Sequence, residues 1–180
     1  NGDGGIALSQ VPEREAEVMA ILGFQVDKNI NDQYAARKAS DEIVSLIGRD
    51  QFFAWFNRGT NLVALQDYAE AAAAYDQAFS LYPSIPEKER PWRMLWYQTG
   101  PYLAYFYTGR YQDVIDLATT TVDNMSEPTL EESYYWRAVA QGAMGDTPAA
   151  IQDLQTSLIY HPDFEPALLQ LQKYDLNTKP

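Results

Sequence analysis

A chain of 180 residues with no cysteine and a formal net charge of −12 cannot depend on disulfide bonds, thiolate zinc sites or a cysteine nucleophile. The acidity argues against binding to nucleic acid or anionic membrane surfaces, because both require basic patches. The length suits one compact domain, no apolar run reaches membrane-spanning length, and the N-terminus lacks the pattern of a signal peptide. Because the sequence begins without methionine, we expect it to be part of a longer protein.

The first 50 residues are predicted to contain a flexible, Gly-rich start over residues 1–11 and two leading helices over residues 12–50. The first helix, Pro12–Leu22, has a proline and acidic residues in its first turn, where they suit the helix dipole. The second runs from about Asn31 to Ile47 and carries one apolar stripe. Because this stripe needs a partner, we expect the leading helices to pack on the rest of the chain.

Residues 51–83 are predicted to form two antiparallel helices. Apolar residues recur with the period of an α-helix over residues 51–65, and an alanine-rich helix follows over residues 68–81. The small residues Gly59 and Ala71 allow the two helices to approach closely. Because a lone pair leaves an apolar face open, we expect further pairs to stack on it.

The same pattern recurs over residues 129–162. The two segments match without a gap when Trp55 is aligned with Tyr134, which lies 79 residues later. The matched positions are Trp55, Gly59, Gln66, Ala71, Tyr75 and Pro83 in the first segment and Tyr134, Ala138, Gly145, Ala150, Leu154 and Pro162 in the second. This recurrence identifies an internal structural repeat.

Residues 91–126 are predicted to form a middle pair, whose first helix spans Pro91–Tyr107 and is kinked at Pro101. Two alignments of this pair are open. One counts back from the turn between its helices and places Tyr102 at the position of Gly59. The other aligns an earlier glycine and lengthens the helix by two residues. We favour the alignment that is anchored at the turn.

The repeat resembles the tetratricopeptide repeat, which has a tryptophan, a small residue and a large residue in its first helix and an alanine, an aromatic residue and a proline in its second. Here these positions hold Trp55, Gly59, Leu62, Ala71, Tyr75 and Pro83. Arg58 and Leu62 depart from the leucine and tyrosine of the usual pattern. The resemblance implies an all-α, right-handed α-α superhelix of three helix pairs (about residues 51–83, 91–126 and 129–162). Two leading helices and a capping helix at about residues 163–175 would complete one compact domain.

In this family the first helix of each pair lines a concave groove that binds extended or helical peptides. The resemblance therefore implies a non-catalytic module that binds a protein or peptide segment, with these groove candidates: Phe53, Phe56, Asn57, Thr60, Trp96, Thr99, Leu103, Glu132, Tyr135, Trp136 and Val139. Members that grip a C-terminal carboxylate use lysines and asparagines, of which only Asn57 is present here. An apolar or aromatic peptide suits this face better. The alternative is a structural accessory domain whose groove is covered by its own leading helices.

No residue pattern indicates catalysis, a metal site or a cofactor. The only histidine, His161, lies at a predicted helix end, where it suits the helix dipole. Arg58 and Arg137 share one repeat position, and we expect their stems to pack between helices with the charges paired to acidic residues.

Four segments, residues 12–18, 55–75, 90–100 and 109–114, together look similar to the C-terminal helical part of certain bacterial proteins. Those proteins join a papain-like C39-type peptidase domain to tetratricopeptide repeats. The peptidase domain comes first and carries the cysteine and histidine, and none of it is visible here. The resemblance implies an accessory or substrate-recruiting domain, with the peptidase domain as one partner and a place outside the cytoplasm as one location.

Overall fold

The structure, a computed structural model, describes residues 30–44, 51–90, 99–125 and 131–177. These residues form eight α-helices and no strand. The helices are α1 (Ile30–Ile43), α2 (Phe52–Ala64), α3 (Tyr68–Leu81), α4 (Gly100–Tyr107), α5 (Tyr111–Asp123), α6 (Glu131–Ala143), α7 (Thr147–Tyr160) and α8 (Glu165–Asn177). The predicted all-α fold class is confirmed for this part of the chain. Within it, no helix has both the length and the apolar character that crossing a membrane requires.

The chain divides into two compact units, residues 1–90 and residues 91–180. Helices α1 to α3 belong to the first unit and α4 to α8 to the second. The predicted helix Pro12–Leu22 and the groove candidate Trp96 lie outside the described residues. The domain boundaries drawn from the sequence, with one compact domain, stay a prediction.

Helices α2 and α3 form an antiparallel pair with an aromatic core. Phe52, at the start of α2, contacts Phe79, near the end of α3, with ring centroids 6.3 Å apart. Gly59 lies buried in the middle of α2, and a Cβ atom on it would stand 2.7 Å from the ring of Tyr75. The missing side chain therefore allows the two helices to close on each other, as predicted for a small residue at this position.

Helix α1 is held to this pair by ion pairs and a buried hydrogen bond. The ion pairs join Arg37 to Asp67 and Glu70, and Arg58 to Asp41 and Glu70. The amide of Asn61 donates to the hydroxyl of Ser40 at 2.6 Å, and both side chains are buried. The predicted pairing of Arg58 with acidic residues is confirmed, and the second leading helix packs on the first repeat pair.

The turns between paired helices share one backbone geometry in all three pairs. The residue with positive φ is Gln66 (61°), Gly109 (76°) or Gly145 (92°). The next residue donates its N–H to a carbonyl five residues earlier at 2.9 Å, in Asp67 to Leu62, Arg110 to Tyr105 and Asp146 to Gln141. The turn of the middle pair therefore corresponds residue by residue to the turns of the other two pairs. This correspondence supports the alignment that is anchored at the turn.

Helix α4 begins at Gly100, and Pro101 is its second residue. A proline in the first turn of a helix forfeits no intrahelical hydrogen bond, because the N–H groups there have no helical acceptor. The earlier part of the predicted first helix, residues 91–98, lies outside the described residues. The predicted kink at Pro101 therefore stays a prediction.

The middle pair exchanges the large and small residues of the other two pairs. Tyr102 stands at the position of Gly59, and Ala118 stands at the position of Tyr75. Both are buried, and the hydroxyl of Tyr102 lies 3.2 Å from those of Thr121 and Ser133. A tyrosine thus fits a slot that holds glycine or alanine elsewhere, because the residue at the facing position is smaller.

Helix α8 covers the α6–α7 pair in the second unit. Its Ala167 is fully buried in a cluster with Ala138, Ala150 and Leu154 of that pair. Leu171 and Tyr174 pack against the same cluster. This is the role predicted for a helix over residues 163–175.

Replacing Gln66 by glycine is expected to raise the free energy of unfolding by about 0.5–1 kcal/mol. Gln66 has φ 61°, a conformation that glycine adopts without strain and that glycine already occupies at the other two turns. Urea denaturation followed by circular dichroism measures the change. The matched control is Gly145→Ala, which is expected to destabilise, because φ is 92° there while nothing lies within 4 Å of an added Cβ. A Gln66→Gly protein that is less stable than wild type would contradict the expectation.

Candidate functional site

The second unit carries a strip of partly exposed aromatic rings that crosses three elements. Phe106 and Tyr107 end α4, Tyr135 and Trp136 lie on α6, and Phe164 precedes α8. Successive ring centroids are 5.5 Å apart from Tyr107 to Phe106, 5.7 Å to Trp136, 5.6 Å to Tyr135 and 5.6 Å to Phe164. We call these five residues the aromatic strip. None of them is buried, and Tyr107 is 58% exposed.

The aromatic residues of the first pair are placed differently. Phe56 is only 1% exposed and packs edge-on against Tyr75, with centroids 5.0 Å apart. It also stacks on Phe52, at 5.4 Å. The sequence analysis placed Phe56 in the groove, but this residue belongs to the core of the helix pair, because bulky rings stand at the facing positions.

The other candidates of the first unit are partly exposed. Phe53 contacts the ring of Phe52 edge-on at 5.4 Å, and Asn57 lies one turn further along α2. The hydroxyl of Thr60 donates to the carbonyl of Phe56 at 3.2 Å and lies 3.3 Å from the hydroxyl of Tyr75. Thr60 is therefore engaged inside the pair as well as partly open to solvent.

The remaining candidates lie in the second unit, where two of them belong to the aromatic strip. Tyr135 and Trp136 are its α6 members, with Glu132 and Val139 about one turn to either side on the same helix face. Thr99 precedes α4, and Leu103 lies within it; both are partly exposed.

Sequence reasoning missed Phe106, Tyr107 and Phe164. They flank turns and helix starts, where the family pattern assigns no groove residue. One signal did exist for Tyr107, because the equivalent positions of the other pairs, Ala64 and Ala143, are alanine. A large exposed ring at a position that is small elsewhere indicates a role other than packing.

Glu132 is a half-buried carboxylate beside the strip. Burial raises its pKa above the ordinary value of 4.5, and the neighbouring charge of Glu131 adds to the effect. Among the described residues it has no hydrogen bond and no ion pair. The described basic side chains of this unit are engaged elsewhere: Arg110 with Asp113, Arg137 with Asp153, and Lys173 with Gln170. The edge of the strip therefore carries a negative charge that these side chains do not neutralise.

The phenol of Tyr135, on α6, interacts electrostatically with the phenol of Tyr107, at the end of α4. Burial raises its pKa, and the phenol of Tyr107 raises it further. Both effects disfavour the charged form of Tyr135. Its hydroxyl therefore stays protonated at neutral pH and can donate a hydrogen bond to a carbonyl of a bound backbone.

Arg137 is used inside the third pair. Its Nε and Nη2 donate to the two carboxylate oxygens of Asp153 at 2.7 and 2.8 Å, and Nη1 donates to Thr119 at 3.2 Å. The hydrogen bond to Asp153 is the main reason that the pKa of Arg137 is raised. The predicted pairing of Arg137 with an acidic residue is confirmed, and this guanidinium is not available to a ligand.

His161 lies at the C-terminal end of the strip and contacts both a carboxylate and an aromatic ring. It follows the last residue of α7, its Nδ1 lies 3.2 Å from Glu131 Oε1, and its ring stacks on Phe164 at 5.5 Å. Within the part of the chain that the structure covers, no group of three or more metal-binding side chains occurs.

Replacing Glu132 by glutamine is expected to increase the free energy of unfolding at neutral pH. The folded state binds the proton of Glu132 more tightly than the unfolded state, so wild-type stability falls as pH rises from 4.5 through the raised pKa. Glutamine does not ionise, so the variant does not lose stability in this way. Urea titrations between pH 4 and 8 measure the difference in the free energy of unfolding between Glu132→Gln and wild type. This difference grows as the pH rises through this range and disappears at lower pH. A difference that is independent of pH would contradict the assignment.

Two family models match the chain. Both describe the tetratricopeptide repeat, one over residues 52–85 and the other over residues 132–163. These two segments are tetratricopeptide repeats. They coincide with the α2–α3 and α6–α7 pairs, and the tetratricopeptide repeat is in general a non-catalytic module that binds protein or peptide partners.

A comparison with curated proteins finds no match. Among solved structures, the chain is similar to YrrB, described as a tetratricopeptide repeat protein with an unusual peptide-binding site. The two share 13% sequence identity over 88% of this chain and 89% of that chain, with a TM-score of 0.40. The wider resemblance to C39-type peptidase proteins stays a prediction.

Proposed function

We propose that the chain binds a protein or peptide segment along the aromatic strip of its second unit. The observation that supports this most is the exposure of the strip. Tyr107 is 58% exposed and the other four rings are partly open, although each contacts a ring of another residue in the strip. Folding would bury such rings if they served only the core, as it does with Phe56.

The chemistry of the strip favours an apolar or aromatic segment. Aromatic rings supply large contact areas at a low entropic cost, and tyrosine and tryptophan dominate the energetics of many protein interfaces. Glu132 and the hydroxyl of Tyr135 add polar groups at the edge, which can fix the direction of a bound chain. In the first unit, Phe53, Asn57 and Thr60 are proposed as a smaller contact face of their own.

A library of short peptides displayed on phage tests the proposal, with wild-type protein as bait. Tyr107→Ala is expected to weaken the selected peptides by a factor of about 30, which corresponds to loss of an interface residue worth about 2 kcal/mol. Because Tyr107 is mostly exposed, this variant is expected to fold as wild type does. Ile159→Ser is the matched control: Ile159 is 74% exposed on α7 and is not part of the strip. Equal binding by Tyr107→Ala and wild type would reject the strip as the site.

The alternative is a structural accessory domain whose groove face is covered by its leading helices. The packing of α1 on α2 and α3 supports it, because Arg37 and Ser40 join α1 to this pair. In that case the wider resemblance makes a peptidase domain of the same protein the natural neighbour. Removing residues 1–48, which include α1, distinguishes the two: it should open the face around Phe53 and Asn57 to peptides only if the accessory function is correct.

A further inference from the structure

We infer that the segment bound on the aromatic strip places a lysine or arginine side chain against Glu132, between the carboxylate and the rings of Tyr135 and Trp136. This rests on the proposed function and names the chemistry of its partner. Residues three and four apart on a helix lie on one face, so the Glu132 side chain shares a helix face with both rings.

The Glu132 carboxylate has no counter-charge among the described residues. Glu132 is half-buried, lies beside Glu131, and has no hydrogen bond or ion pair among the described residues. Glu131, by contrast, contacts His161 at 3.2 Å. A desolvated carboxylate without a partner is unfavourable in the free protein, and a bound cation would relieve that cost. The carboxylate is therefore poised to gain more from a cationic ligand than an exposed one would.

The neighbouring rings of Tyr135 and Trp136 are of a kind that attracts cations. A cation is attracted to the face of an aromatic ring, most strongly to tryptophan, and the apolar stem of lysine or arginine can lie along such a surface. Trp136 and Tyr135 are the aromatic residues that share a helix face with the carboxylate. No described basic side chain of this unit competes for the place, because Arg110, Arg137 and Lys173 are each held by another side chain.

Among the three helix pairs, a carboxylate stands at this repeat position in the third pair alone. The positions equivalent to Glu132 are Phe53 in the first pair and Trp96 in the middle pair, so the repeat pattern itself does not require an acid there. The net charge of −12 would also attract a basic segment from a distance and repel an acidic one. Charge complementarity thus selects a basic apolar segment over a second copy of this acidic chain.

Three synthetic peptide mixtures test the inference by fluorescence anisotropy. Each has a mixture of leucine, phenylalanine, serine and glycine at the flanking positions and either lysine, glutamine or glutamate at the centre. We expect wild-type protein to bind the lysine mixture about tenfold more tightly than the glutamine mixture. Glu132→Gln should abolish this preference, so that the variant binds the lysine and glutamine mixtures with equal affinity. Glu131→Gln, one residue away, is the matched control and should retain it.

The outcomes separate the inference from the proposed function. If the lysine and glutamine mixtures bind equally and Tyr107→Ala weakens both, the strip is a binding site and the inference is wrong. If no mixture binds, the proposed function and the inference both fail. If sedimentation shows a dimer of wild-type protein that Tyr107→Ala dissociates, the strip is occupied by a second copy and the inference is also wrong. Because Glu132→Gln is expected to be at least as stable as wild type, loss of preference cannot be attributed to unfolding.

Discussion

Replacing Arg137 by alanine is expected to lower the free energy of unfolding by about 3 kcal/mol. The side chains of Arg137 and Asp153 are only 18% and 9% exposed and form a bidentate ion pair between α6 and α7. Removing one partner leaves the other charge buried without compensation, and it also removes the hydrogen bond to Thr119 and the contact of the guanidinium with the ring of Tyr134. Urea denaturation at neutral pH measures the loss.

Two further variants make this prediction specific to burial. Arg110 and Asp113 also form an ion pair, but their side chains are 35% and 46% exposed, so Arg110→Ala should cost less than about 1 kcal/mol. The double variant Arg137→Met with Asp153→Leu removes both charges and should recover most of the stability that Arg137→Ala loses. If Arg137→Ala and Arg110→Ala cost the same, the importance assigned to the buried pair is wrong.

Replacing Gly59 by leucine is expected to destabilise the first pair by about 3 kcal/mol, because the new side chain must displace a buried ring. A Cβ atom alone would stand 2.7 Å from the ring of Tyr75, which is fully buried. The Gly59→Ala variant should cost less, since alanine adds one carbon and gains helix propensity. Thermal unfolding and urea titration of both variants measure the order.

The third pair provides the compensating change. It carries Ala138 and Leu154 where the first pair carries Gly59 and Tyr75. The double variant Gly59→Ala with Tyr75→Leu therefore copies a combination that this chain already uses. We expect it to be more stable than the sum of the two single changes predicts. Strict additivity would show that the two residues do not share one packing site.

Core aromatic residues are buried in the first unit, and aromatic residues are partly exposed in the strip of the second unit. In the first unit, Phe52, Phe56 and Tyr75 are buried and hold a helix pair together. In the second unit, Tyr107 and Trp136 are joined into a strip through Phe106 and stay open to solvent. The same residue types thus stabilise the fold in one unit and offer a contact surface in the other, which is why the second unit carries the proposed site.

Most helices could be predicted from the sequence, because helical period, turn residues and prolines act locally. Helix α3 begins and ends as predicted, and α2 is one residue shorter than predicted at each end. The predicted start of the middle pair lies outside the described residues. Pro101 is compatible with a kinked helix interior and with a first turn, and no local sequence pattern decides between them.

The site could be predicted in part. Tyr135, Trp136 and Glu132 lie on one face of α6, and the resemblance to the tetratricopeptide repeat implied all three as groove residues. Phe106, Tyr107 and Phe164 join them through contacts between elements that are far apart in sequence, which no local pattern contains. The uncompensated charge of Glu132 is of the same kind, because the partners of the basic residues became known only from the packing of the helices.

The repeat follows from local patterns in the sequence, which specify its length, its turn positions and the small residues at which the helices meet. Which aromatic residues face solvent depends on contacts between helices. Phe56 and Tyr135 occupy the same repeat position, yet Phe56 is 1% exposed and Tyr135 lies partly open in the strip. The reason is the neighbouring positions. Phe52 packs on Phe56 in the first pair, whereas its equivalent in the third pair is the carboxylate Glu131, and burial depends on what stands opposite a side chain as well as on its own hydrophobicity.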